Sequence, residues 1–220
     1  MKYLVTLIMI MFAISLYSQK QKKYSFGFEV APNVNWAVSN TKRVENNSAQ
    51  LGIKYGLRGD QFFGKNYAIT SGLMISHSAI NLHYDSINLK TVDNDYELLD
   101  SDVKYNFQYF ELPIGMKFQS NEIGYFKILI EGGFINGFQI RSKVSSDDPD
   151  IDKEELKEGV NLYSLSYYFE GGVTYSLGAQ IALKGTLFFS SGINDITSDD
   201  NSEGDRITQN SVGMKIGLVF

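Results

Sequence analysis

Three groups of residues in this 220-residue sequence carry side chains able to do chemistry. The first is Ser76-His77-Ser78 together with His83, which between them hold both histidines of the chain. A histidine within hydrogen-bonding reach of a serine hydroxyl takes its proton and makes it a nucleophile, which is what hydrolysis of a lipid ester requires. Neighbouring residues of a strand point to opposite faces, so His77 is badly placed for Ser76 or Ser78, and Glu111 is an acid that could orient His77 only through space. No serine, histidine and acid triad is legible, and no catalytic residue is expected.

The second group is acidic. Asp147-Asp148-Pro149-Asp150-Ile151-Asp152, followed by Glu154, Glu155 and Glu158, has the carboxylate density of a calcium loop, but its sixth position is not glycine. A further acidic run covers 195–205. Calcium bridging between the two runs is one expectation, and solvated loops kept soluble by charge are the simpler one. No cofactor and no resident metal are expected. The third group is Glu29, Lys54, Arg58, Glu111, Lys117, Lys127, Glu131, Arg141, Glu170, Lys184 and Lys215, each set among apolar neighbours at a spacing of two. On strands that spacing collects acids and bases on one face, where they can neutralise one another.

Strands are therefore what must position them. The last stretch, SVGMKIGLVF, sets Val212, Met214, Ile216, Leu218 and Phe220 against Ser211, Gly213, Lys215 and Gly217. One face is greasy and the other polar, and the segment ends on an aromatic. Similar alternation predicts strands near 24–36, 51–58, 67–75, 103–118, 126–140, 165–177 and 181–190. In the 103–118 segment Tyr105, Phe107 and Tyr109 give way to Phe110, Leu112, Ile114, Met116 and Phe118, a change of phase that predicts a β-bulge beside Pro113.

The connections are short at 60–66, 119–124 and 177–180, and long and polar at 37–50, 77–102, 142–161 and 191–208. Short periplasmic turns alternating with long outer loops mark an eight-stranded antiparallel up-and-down transmembrane β-barrel with both termini in the periplasm. Tyr24, Tyr67, Phe118, Tyr125, Tyr175 and Phe220 then fall near the turn-side rim, and Trp36, Tyr105, Phe138, Tyr163 and Phe189 near the loop-side rim. Twenty Gly, fourteen Tyr and fifteen Phe against three Pro favour such an architecture. A mean hydropathy of −0.17 does not oppose it, because barrels carry their membrane signal in alternation.

Lys2, the apolar run at 4–16 and the small Ser18 predict a secretory signal over 1–18, leaving 19–220 as one barrel domain. The chain has no cysteine, which excludes disulfides, zinc-thiolate sites and thiol catalysis. A formal net charge of −5 argues against nucleic acid as a partner.

Tyr109-Phe110-Glu111-Leu112-Pro113-Ile114 resembles the aromatic-Leu-Glu-Ile-Pro-Leu segment of PorT-like outer-membrane β-barrel proteins, with Phe110 where leucine is usual and Gly115 where the run is normally apolar. The signal, the strand rhythm and the aromatic C-terminus are similar across the mature chain. The resemblance implies an outer-membrane barrel, without an activity. Eight strands enclose a lumen that side chains nearly fill, so the mixed charges read as an interior plug. The expected function is a structural or interaction module: a monomer in outer-membrane lipid, with long acidic outer loops and an outer or periplasmic protein partner. A narrow channel and a barrel binding a small ligand or lipid are the alternatives, followed by a lipid-directed hydrolase. A soluble lipocalin-like barrel is the alternative fold.

Overall fold

The alternation is realised as a single sheet that closes on itself. The computed structural model describes residues 23–39, 44–92, 94–147, 151–156, 160–178, 181–196 and 206–220. The expected signal at 1–18 and most of the acidic run at 195–205 lie outside them. The strands are β1 (Tyr24–Ser39), β2 (Val44–Ser48), β3 (Gln50–Phe62), β4 (Tyr67–Lys90), β5 (Asp95–Gln119), β6 (Phe126–Ser146), β7 (Glu154–Glu155), β8 (Tyr163–Ser176), β9 (Ala182–Gly192) and β10 (Ile207–Val219).

Eight of them form the ring β1-β3-β4-β5-β6-β8-β9-β10, in which every neighbour is antiparallel and β1 pairs with β10. Phe220 completes the closure: its amide donates to the Phe26 carbonyl at 2.8 Å, and its own carbonyl accepts from the Phe26 amide at 2.9 Å. A closed ring leaves no unpaired edge. The two short strands lie at the loop end, β2 against β4 and β7 against β6.

The outer face is apolar around the ring. Phe26, Leu57, Ile69, Ile114, Ile130, Phe169, Leu187 and Ile216 are all exposed. Such a band far exceeds the few hundred Å² of apolar patch that a soluble monomer tolerates, so it requires lipid and excludes the lipocalin arrangement. Aromatic pairs mark both rims. Tyr67 meets Phe118 at 5.4 Å and Phe126 meets Tyr175 at 4.8 Å at the turn end, while Trp36 meets Phe189 at 6.4 Å and Phe138 meets Tyr163 at 5.6 Å at the loop end.

Three expectations are corrected. Residues 77–102 are not a loop, because β4 runs on to Lys90 and β5 starts at Asp95, forming a tall hairpin. Ile80, Leu82 and Tyr84 keep the inward parity of Thr70, Met74 and Ser76 and are buried, so the lumen face simply continues above the belt. Second, no phase slip occurs at Pro113. Tyr105, Phe107, Tyr109 and Glu111 all lie inward, and the irregularity falls in β6, where Gln108 faces Arg141 and Tyr109 faces Gln139, leaving Ile140 extra. Third, Tyr105 consequently leaves the expected outer rim and is 4% exposed in the interior.

Candidate functional site in the barrel lumen

Inward residues form layers along the barrel axis. Deepest in the ring is a charge network of five acids (Glu29, Asp60, Glu111, Glu131, Glu170) and five bases (Lys54, Arg58, Lys117, Lys184, Lys215), all buried. Lys184 is its hub, with Nζ 2.8 Å from Glu29, 2.8 Å from Glu170 and 3.8 Å from Glu131. Arg58 pairs closely with Glu131 and lies 4.0 Å from Glu29, and Lys215 pairs closely with Glu170. Lys117 pairs with Asp60, and Lys54 reaches the two oxygens of Glu111 at 2.9 and 3.2 Å. Equal numbers of opposite charges at hydrogen-bonding range offset the cost of removing each from water.

Neutral groups complete the layer. The Tyr168 hydroxyl donates to Glu131 at 2.6 Å and Thr70 donates to the same oxygen at 2.9 Å. The ammonium of Lys215 sits 5.3 Å from the Tyr168 ring and 5.1 Å from that of Phe188, a cation–π placement. Tyr168 fits because position 115 is glycine: a Cβ there would collide with the Tyr168 hydroxyl and stand 2.7 Å from the Gly132 carbonyl oxygen.

Above the charges lies a small polar chamber of about 30 Å³ lined by Ser76, Ser78, Ser190 and Ser211 among others. Asn33 donates to Asn35 at 2.6 Å and to Ser211 at 2.8 Å beside it. Above that, at the loop end, Ile80, Leu82, Tyr84, Val103, Tyr105 and Phe107 pack with Val144, Ile151, Ile196 and Ile207 in one apolar cluster. The tip of the β4–β5 hairpin bends onto β7, with the Val92 amide donating to the Glu155 carbonyl at 3.0 Å. At the turn end the lumen opens instead into a cavity of about 630 Å³ whose lining includes Lys23, Lys65, Lys117, Lys127 and Glu122.

The expected lumen residues are mostly brought together, with two exceptions and one addition. Arg141 leaves the lumen, its side chain 58% exposed and its Nε 3.3 Å from Glu155. Lys127 stands at the turn-side mouth, 3.6 Å from Glu122. Asp60, expected in a turn, is instead the partner of Lys117; its place two residues beyond Arg58 on the inward parity of β3 is the signal that identifies it.

Ser76 and His77 are on opposite faces, as strand geometry requires. Ser76 is 1% exposed inside, and His77 stacks outside on Tyr55 with ring centroids 5.9 Å apart. Glu111 faces inward to Lys54, so it does not orient His77. His83 lies 2.8 Å from Asp102 and 3.2 Å from Asp100 on the hairpin exterior. In the acidic run, Glu155 pairs with Arg141, Glu154 accepts from the Tyr96 hydroxyl at 3.0 Å, and Ile151 is buried. Glu154 and Glu155 therefore turn onto different protein partners, and no metal-holding cluster occurs among the described residues. Asp148, Asp150 and Glu158 lie outside them.

Comparison with known proteins adds a family. No curated protein matches the sequence. Among solved structures, Neisserial surface protein A is 7% identical with a TM-score of 0.46, covering 89% of this chain and 96% of its own. Ail, the attachment invasion locus protein of Yersinia pestis, is 13% identical with a TM-score of 0.40, covering 90% and 99%. The outer membrane protein OprG from Pseudomonas aeruginosa is 11% identical with a TM-score of 0.42, covering 89% and 95%. The model of the outer membrane protein beta-barrel domain matches residues 17–198, and this chain, with its closed ring and lipid-requiring outer face, belongs to that family.

Proposed function

We propose that this outer-membrane barrel is a non-conducting structural or interaction module that presents its loop end outside the cell and both termini to the periplasm. The observation carrying this reading is the double obstruction of the lumen, by the neutral charge network around Lys184 and by the apolar cluster around Leu82 and Phe107. An ion crossing it would have to break buried pairs and then enter a hydrocarbon-like layer, each step costing several kcal/mol.

Residues 1–18 act as a secretory signal in this reading, and 19–220 form the working domain. Closure of the ring and completeness of the outer apolar band support a monomer. The loop end, with β2, β7 and the tall hairpin, is the surface offered to a protein partner. The Tyr109–Ile114 resemblance favours the PorT-like branch: Tyr109, Glu111 and Pro113 face the lumen while Phe110, Leu112 and Ile114 face lipid. No catalytic role is assigned to Ser76 or His77. Purified protein in planar bilayers is expected to give no discrete conductance steps, and a reproducible single-channel current would refute the module reading in favour of a channel.

A further inference from the structure

The bulge in β6 moves two cations from the lumen to the outside. Below it, Glu131, Ile135 and Gln139 face inward; above it, Ser142 and Val144 do, so Ile140 and Arg141 are both turned outward and Lys143 follows Arg141. Bulges re-aim side chains in this way at barrel rims.

The registers fix where these cations stand. Ile75, Phe110 and Phe138 form one row across β4, β5 and β6, and this row belongs to the apolar belt and its aromatic rim. The next row is His77, Gln108 and Arg141, and the one after it Ala79, Asn106 and Lys143. Two residues along a tilted strand rise about 5 Å along the barrel axis, so the cations stand just beyond the aromatic rim on the outer face. There the outer face is hollowed into a groove of about 430 Å³, floored by the small Ala79 and walled by Leu51 and Ile53 at the start of β3. Leu51 is 83% exposed. Glu155 pairs with Arg141 at 3.3 Å and stands opposite Lys143 in the β6–β7 ladder, so two cations face one carboxylate and the groove keeps a net positive charge.

We propose that this groove binds the phosphorylated headgroup of an outer-leaflet lipid. Arg141 and Lys143 would hold the phosphate, Gln108 and Asn106 the neighbouring polar groups, and the belt row of Ile75 and Phe110 below them the first carbons of an acyl chain. A guanidinium beside an ammonium suits phosphate oxygens, and the groove is continuous with the face already immersed in lipid. The placement in the outer leaflet rests on the orientation proposed above.

The test is native mass spectrometry of the full chain in detergent, with bis-phosphorylated lipid A and with the same lipid dephosphorylated. Wild-type protein is expected to retain the phosphorylated lipid, and Arg141→Gln/Lys143→Gln to lose roughly tenfold or more of the adduct. Lys104→Gln, one row higher and outside the groove, should change nothing. Ala79→Trp, which fills the groove without altering charge, should abolish the adduct and keeps the test decisive if the double variant does not fold. Equal retention of the dephosphorylated lipid, an unaffected double variant, or an equal loss in Lys104→Gln would overturn the proposal. So would displacement by millimolar inorganic phosphate, which would mark a free-anion site. Orientation is read independently by labelling Asn121→Cys or Asp152→Cys on intact cells with an impermeant thiol reagent. Labelling of the turn residue alone would refute the outer-leaflet placement whatever the lipid result.

Discussion

Replacing Lys54 with Met isolates one buried charge. Lys54 on β3 and Glu111 on β5 meet across β4 with side chains only 11% and 10% exposed, and neither has another ion-pair partner among the described residues. Solvent screening is therefore slight. Removing one member leaves the other charged and unpaired in the lumen, which costs about 3–5 kcal/mol. Removing both, as Lys54→Met/Glu111→Leu, replaces two ions by apolar groups of similar size, a change that ranges from neutral to stabilising by about 1–4 kcal/mol. The coupling energy of the double-mutant cycle, the two single costs less the double one, should thus be about 6 kcal/mol or more and favourable. Equilibrium urea unfolding from detergent micelles measures it, with Trp36, the single tryptophan of the chain, as the fluorescence reporter and the boiling-induced gel shift as the independent probe. If the double variant were destabilised by the sum of the two single costs, the pair would be uncoupled and the account of the lumen as a neutralising network would fail.

Two further substitutions probe the other layers. Gly115→Val pushes against the Tyr168 hydroxyl and the Gly132 carbonyl, and should cost about 1–3 kcal/mol in the same urea assay; an unchanged midpoint would show that Tyr168 does not need the space. Leu82→Ala empties a fully buried position of the loop-end cluster, at a local cost of about 2–5 kcal/mol. Limited proteolysis should then cut the β4–β5 hairpin faster while the compact unboiled gel band persists, and loss of that band would mean that cap and barrel unfold as one unit.

The alternation of residues such as Val212, Met214, Ile216 and Leu218 was enough to establish a barrel, its strand number and its lipid face, because the side-chain period of a strand is two and only one face meets lipid. The same parity placed Glu29, Lys184 and Lys215 in the lumen and separated Ser76 from His77. Hydropathy stops discriminating above the belt. There the inward residues Ile80, Leu82, Tyr105 and Phe107 are as apolar as the lipid-facing ones, so Tyr105 resembled a rim residue and 77–102 a loop until strand pairing assigned the faces. The bulge at Ile140 reverses parity without any glycine or proline at that position, which is why Arg141 read as a lumen residue. Which base meets which acid was likewise decided only by the closed ring. Lys184 and Glu29 are 155 residues apart and meet because the stagger of eight strands brings them to one level, a relation that no single strand encodes.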